Sequence, residues 1–126
     1  MKILNIIETA YRATLEEQDD TVVWLSHALR DAGADLDVLI QGGAVNYSLA
    51  DQDASGFKVG SYSQSQPPVI YQDLKKLSEK GITVYLVEED LVERGIKIDM
   101  NLGWITPIRR TDLPGYLAKY SQVWYW

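Results

Sequence analysis

The sequence contains no cysteine and a single histidine, His27, among its 126 residues. The absence of cysteine excludes disulfides, thiolate nucleophiles, persulfide carriers and metal sites built on thiolates. With one imidazole, clustered-histidine metal sites and Ser-His catalysis within one chain have little support. His27 lies four residues before Asp31, a spacing typical of a pair on the exposed face of a helix. We therefore predict neither a cofactor nor a metal site.

Basic residues are also few, with 12 Lys and Arg against 18 Asp and Glu and a net charge of −6. They form no dense stripe, so we predict no nucleic-acid partner and no membrane partner. The apolar run in the N-terminal "MKILNIIE" is too short for a signal peptide or a membrane span. These features predict a cytoplasmic protein, and the length suits a single domain over residues 1–126.

Apolar runs alternate with amphipathic segments along the chain. The β-branched runs "KILNIIE", "LDVLIQGG" and "ITVYLVE" predict strands that are covered on both faces. Helical spacing of apolar residues occurs in two segments, "EEQDDTVVWLSHALRDAGAD" and "PPVIYQDLKKLSEKG". Acids crowd the first turn of the first predicted helix. Gly33 ends the first helix and Gly81 ends the second. "GWITPI", "TDLPGYLAKY" and "QVWYW" predict a further strand, helix and strand. This alternation predicts a three-layer α/β/α fold with a mostly parallel sheet of about five strands.

In such folds functional residues cluster beyond the carboxyl ends of the strands, here residues 8–10, 41–43 and 88–90. Gly42 and Gly43 could let backbone N–H groups approach an anion, but a tight turn that needs positive φ is the favoured interpretation. The irregular segment 46–68 is long for a connection. Segments of this kind are typical of a lid or a mobile element, and this one could also pack on a neighbouring subunit.

Three consecutive acids, residues 88–90, follow the third apolar run. One interpretation is carboxylates for acid–base chemistry or for a hard cation. The other is a helix start, with Asp90 as N-cap and Glu93 completing a capping box. We favour the helix start, which explains Asp90 and Glu93 but explains Glu88 and Glu89 only in part, so that Glu88 stays a candidate for a pocket.

The stretch "VEEDLVERGI" and the order of elements around it resemble the DsrE/DsrF-like family, the small α/β subunits of bacterial sulfur-relay proteins. The resemblance covers nearly the whole chain. In that family a strand ends at a cysteine, a short helix follows, and an Arg-Gly pair closes it. Arg94 and Gly95 match the pair, and counting back places the cysteine position at Val87, within one residue. Family members that carry sulfur do so as a persulfide on that cysteine, which Val87 cannot do.

The resemblance implies a DsrE-like fold and a pocket near the missing cysteine, bordered by the loop after the second strand. The candidate ligand-binding residues are Gly42, Gly43, Asn46, Tyr47, Val87, Glu88 and Arg94. The family also implies a homo-oligomer, as dimer, trimer or hexamer, and a sulfur-relay protein as partner. Aromatic side chains are enriched in interface cores, which makes Trp104, Trp124 and Trp126 candidate interface residues.

We therefore predict a non-catalytic, oligomeric DsrE-like protein with a binding or assembly role. It would act beside intracellular sulfur relay or sulfur oxidation without itself carrying a persulfide. One alternative is a small-molecule-binding protein or enzyme that uses a pocket at the carboxyl ends of the strands. Another is a structural partner whose aromatic C-terminal strand docks on a different chain.

Overall fold

A parallel β-sheet is the centre of the computed structural model, which describes residues 1–11, 20–97 and 102–126. The strands are β1 (Lys2–Ile7), β2 (Asp35–Ile40), β3 (Lys58–Val59), β4 (Tyr62–Ser63), β5 (Val84–Val87), β6 (Ile105–Ile108) and β7 (Gln122–Tyr125). Five of them form one sheet in the order β6-β5-β2-β1-β7, and each pairing is parallel. β3 and β4 form a separate antiparallel hairpin within segment 46–68. The predicted α/β fold is confirmed.

Helices cover both faces of the sheet. They are α1 (Thr21–Asp31), α2 (Ile70–Glu79), α3 (Glu88–Glu93) and α4 (Leu113–Leu117), and 3₁₀ turns span Gly42–Ser48 and Arg110–Asp112. α1 and α2 pack on one face and α4 on the other. Right-handed crossovers explain the split, because the chain moves from β1 through β2 and β5 to β6 in one direction and returns to β7 in the other. No helix within the described residues is long and apolar enough to cross a bilayer.

Each central strand contributes side chains to two hydrophobic clusters. The larger cluster lies beneath α1 and α2 and includes Ile7, Val38, Ile40, Leu74 and Leu77. The smaller one lies beneath α4 and consists of Leu4, Ile6, Leu39, Val87 and Ile108. Successive strand residues point to opposite faces, so a strand covered on both sides has a continuous apolar sequence.

The start of α1 differs from the expectation of acids in its first turn. Its first turn contains no acid, and Asp20 is the N-cap residue. The Asp20 carboxylate accepts the Val22 N–H at 2.8 Å and the Tyr47 hydroxyl at 2.7 Å. The other acids of the predicted segment, residues 16, 17 and 19, lie outside the described residues. Gly33 follows the helix with φ of 93°, as predicted.

A second buried carboxylate, Asp37 of β2, joins the amino ends of the strands. It accepts the Lys2 ammonium at 2.9 Å, the Tyr120 hydroxyl at 2.6 Å and the Thr83 N–H at 2.9 Å. Burial and the hydrogen bond to Asp37 raise the pKa of Tyr120 above its ordinary value. The hydrogen bond that the Lys2 ammonium donates to Asp37 raises the pKa of Lys2. The network connects β1, β2, the entry to β5 and the segment before β7.

Replacing Asp20 tests its double role at the start of α1. Asp20→Ala removes the cap and leaves the Tyr47 hydroxyl buried without its acceptor, so we expect a loss of about 2–4 kcal/mol in unfolding free energy. Urea denaturation measures the change. The exposed Asp51→Ala is the matched control, with an expected change within about 0.5 kcal/mol. Equal effects of the two substitutions would contradict the role assigned to Asp20.

Candidate functional site

An open cleft of about 390 Å³ lies at the carboxyl ends of the strands. Its lining comes from the segments that follow β1, β2, β5 and β6, because parallel strands bring these segments to one edge of the sheet. The lining residues are Glu8, Gln41, Gly42, Asp90, Glu93, Arg94, Arg110 and Leu113. All but Gly42 and Leu113 have polar or charged side chains.

Asp90 holds the centre of the cleft together. It is only 7% exposed, and one of its oxygens accepts the Gly42 N–H at 2.7 Å. The other accepts Nη2 of Arg110 at 2.5 Å. A single carboxylate thus connects the turn after β2, helix α3 and the turn after β6.

The capping box predicted for Asp90 and Glu93 is wrong. α3 begins at Glu88 directly after β5, with Val87 as N-cap, so Asp90 is the third residue of the helix. β5 passes into α3 without a turn, so the helix starts three residues earlier than the acid pattern predicted. Asp90 then points across the cleft, where its hydrogen bonds are tertiary.

The remaining charges around the cleft are also paired. Arg110 Nη1 contacts the Glu93 carboxylate at 3.1 Å, and the Arg110 N–H donates to Glu89 at 2.9 Å. This backbone hydrogen bond lowers the pKa of Glu89, and the hydrogen bonds to Glu93 and Asp90 raise the pKa of Arg110. Arg94 Nη1 donates to the Asp90 carbonyl at 3.2 Å. The arrangement is a compact network of both signs at the surface.

Gly42 is required by the geometry of the turn after β2. Its φ is 54°, and a Cβ atom added there would lie 2.8 Å from Cγ of Glu8. The tight turn with positive φ, predicted from the glycine pair, is therefore confirmed at Gly42. At Gly43 the nearest atom to an added Cβ is 3.5 Å away and φ is not positive.

Of the predicted pocket residues, Gly42 and Arg94 line the cleft. Tyr47 lies in the core, where its hydroxyl donates to Asp20 and accepts the Tyr11 N–H. Burial, with the hydrogen bond to Asp20, raises the pKa of Tyr47 far above its ordinary value. The Asn46 amide donates to the Gly43 carbonyl at 2.8 Å, inside its own 3₁₀ turn.

Val87 and Glu88 occupy the junction of β5 and α3. Val87 is 1% exposed and belongs to the smaller hydrophobic cluster, and Glu88 is half-buried in the first turn of α3. Neither residue lines the cleft, and the same holds for Gly43. The ligand-binding role of this set stays a prediction.

Sequence reasoning missed Arg110, the cation that bridges the carboxylates of the cleft. The available signal was its position two residues after the strand segment "GWITPI". That run is short and contains Pro107, which weakens its strand pattern and with it the signal for a functional residue at its carboxyl end.

The three tryptophans predicted at an interface lie in different surroundings. Trp104 is buried and packs edge-to-face on Tyr71, with ring centroids 5.4 Å apart. Its indole N–H has no hydrogen-bond partner among the described residues. Trp124 packs partly against the larger cluster, and Trp126 is 39% exposed. Only Trp124 and Trp126 lie at the edge of the sheet.

No family model matches the sequence, and no curated protein is similar to it at a significant level. Several solved structures share its fold, among them the two that follow. The crystal structure of the YchN protein from E. coli has a TM-score of 0.71 and 18% identity, and the match covers 99% of this chain and 97% of the other. The conserved protein of unknown function BT1422 from Bacteroides thetaiotaomicron has a TM-score of 0.68 and 16% identity, with coverage of 99% and 94%. The chain therefore has the α/β fold of these two proteins.

At these identities the likeness establishes the fold alone. The family resemblance of "VEEDLVERGI" remains a prediction, since a shared fold by itself does not establish a function.

Substitution of Gly42 tests the construction of the cleft. Gly42→Ala forces a side chain into a left-handed conformation and against Glu8, so we expect a loss of about 1–3 kcal/mol in unfolding free energy. Gly43→Ala is the neighbouring control, with an expected change within about 0.5 kcal/mol. Thermal and urea unfolding measure both variants. A larger effect at Gly43 would contradict the geometry of the turn.

Substitution of Asp90 tests its bridging role. Asp90→Asn keeps an acceptor for the Gly42 N–H but removes the charge that faces Arg110. We expect a clear fall in melting temperature for this variant and almost none for Glu93→Gln, because Glu93 is 55% exposed. High salt should reduce the difference between the two variants, since the pair is partly open to solvent. A greater fall in melting temperature for Glu93→Gln than for Asp90→Asn would contradict the bridging role of Asp90.

Proposed function

We propose that the chain is a non-catalytic, oligomeric DsrE-like protein with a binding or assembly role, and that it does not itself carry sulfur. One observation carries this proposal: the position that the resemblance assigns to a cysteine holds Val87, an aliphatic side chain buried in the core. A persulfide carrier needs a thiolate that partner proteins can reach. The sequence has no cysteine at any position.

The neighbouring positions lead to the same conclusion. Counting back from the Arg-Gly pair defines the cysteine position to within one residue, so Leu86 and Glu88 are the other two positions. Neither an aliphatic side chain nor a carboxylate forms a persulfide. The proposal therefore does not depend on which of the three positions is the true equivalent.

The carboxylates of the cleft support binding rather than acid–base catalysis. Glu8 accepts a hydrogen bond from the Tyr125 hydroxyl, Asp90 accepts two hydrogen bonds, and Glu93 contacts Arg110. A general base needs a carboxylate free to take a proton from a substrate. Here the carboxylates hold the cleft in shape.

The cleft favours a small polar ligand as the bound molecule. Its volume of about 390 Å³ lies in the ordinary range for small-molecule sites, but its lining is mostly polar. Arg94 and Arg110 offer donors, while the more exposed Glu8 and Glu93 offer acceptors. A ligand that carries both kinds of group is the best match for this lining.

The proposed setting is intracellular sulfur relay or sulfur oxidation in the cytoplasm, with a sulfur-relay protein as partner. The support for this part is the sequence resemblance over "VEEDLVERGI" together with the DsrE-like fold. In such a system a subunit without a thiol would contribute assembly or ligand binding beside a sulfur-carrying subunit.

Native mass spectrometry of the protein purified from its source tests the proposal. We expect an oligomer with a non-covalently bound small molecule that is lost on denaturation. Treatment with polysulfide should add no sulfur to the intact mass. Arg94→Glu should lose the bound molecule because it reverses a charge in the lining, whereas Lys75→Glu on the exposed surface of α2 should keep it.

Two outcomes would overturn the proposal. A monomer that carries no bound molecule and no partner would remove both the binding and the assembly role. A stable sulfur adduct on the intact chain would contradict the statement that it does not carry sulfur.

A further inference from the structure

The two edges of the main sheet differ in how they are protected. β6 forms one edge and contains Pro107, which has no N–H to donate to another strand. β7 forms the other edge, and its sequence Gln-Val-Trp-Tyr contains no charge, proline or glycine. Proteins usually protect open edges with lysine, proline or a bulge. An edge that lacks all of these indicates a strand that another chain covers.

The backbone of β7 presents hydrogen-bonding groups in a self-complementary order. The Trp126 N–H donates to the Ile6 carbonyl, and the Trp126 carbonyl accepts the Glu8 N–H. The backbone N–H and C=O groups of successive strand residues point to alternate sides, so those of Val123 and Tyr125 point away from β1. If two copies of β7 run antiparallel about a two-fold axis at Trp124, Val123 of each copy lies opposite Tyr125 of the other. Each such pair then exchanges two hydrogen bonds.

We propose that β7 is the contact between two copies of this chain, and that antiparallel pairing of the two β7 strands joins their five-stranded sheets into one. A two-fold contact needs the same patch on both copies to be complementary to itself. The outward N–H and C=O groups of Val123 and Tyr125 meet this condition.

The exposed side chains of β7 suit the same pairing. Val123 and Tyr125 are 40% and 58% exposed, and their register with Leu4 and Ile6 places them on the α4 face. In the dimer a β-branched side chain would lie beside an aromatic one, a favourable cross-strand pair. Trp124 lies on the opposite face, where it would meet its own copy across the axis.

The lack of charge favours a second copy over an unrelated partner. The chain has a net charge of −6, so two copies repel each other, yet no charged side chain occurs in residues 121–126 to bring that repulsion into the contact. Charged groups across an interface help to select a specific partner, and an uncharged strand has none with which to select a different protein.

This inference rests on the homo-oligomer in the proposed function and adds β7 as the surface through which two copies contact each other. Val123→Pro tests it, because the lost N–H points outward and no hydrogen bond to β1 is removed. Val123→Lys, with Thr106→Lys on the other edge as its control, tests the same surface by charge. Sedimentation equilibrium should show the dimer dissociation constant of both Val123 variants raised about tenfold or more, and that of the control unchanged. Circular dichroism checks that all variants are folded.

Cysteine cross-linking gives a second measurement that does not depend on stability. Because the chain has no cysteine, Val123→Cys and Tyr125→Cys each introduce a single thiol. An equimolar mixture should form the mixed disulfide under mild oxidation, since opposed residues in such a pair lie about 5.5 Å apart between Cα atoms. Each variant alone should cross-link poorly, because the same residue in the second copy lies two positions further along the paired strand.

Three results would overturn the inference. An oligomer that resists the Val123 changes and forms no mixed disulfide would place the contact elsewhere and leave the proposed function standing. A monomer at all concentrations would contradict this contact and the proposed homo-oligomer together. A monomer that binds a different protein through β7, with loss of binding in Val123→Pro, would replace the second copy by that protein.

Discussion

The hydrogen bonds of one carboxylate, Asp90, determine the shape of the candidate site. They fix the turn at Gly42 to α3 and bring Arg110 across from the far end of β6. Because the carboxylate is almost fully buried, its charge needs these partners, and the segments that supply them are held in one arrangement. The cleft is the space that remains between segments fixed in this way.

The junction of β5 and α3 places two side chains in opposite surroundings. Val87 ends β5 and faces the hydrophobic cluster beneath α4, whereas Asp90, one helical turn later, faces the cleft. The junction of β5 and α3 thus directs an aliphatic side chain into the core and, three residues later, a carboxylate toward the cleft. A paired polar network stands at the strand ends, and such a network suits recognition of a polar ligand.

The sequence predicted the strand-and-helix order well because each prediction rested on local information. Apolar runs marked β1, β2 and β5, and helical spacing with glycine ends marked α1 and α2. The site was harder to predict. Tyr47 follows a glycine turn and looked available, but its hydroxyl is used by Asp20 in the core. Arg110 is separated from Asp90 by 20 residues, and no local pattern links the two.

The sequence by itself determined the fold class, the lack of any thiol and the tight turn at Gly42, because composition, periodicity and the conformational freedom of glycine are properties of short stretches. Only the tertiary structure decided which side chains share the cleft, that Asp90 bridges rather than caps, and that β7 and the proline-bearing β6 form the two edges of the sheet. Those facts depend on which strands become neighbours. Strand order is set by crossovers and by packing across the whole chain.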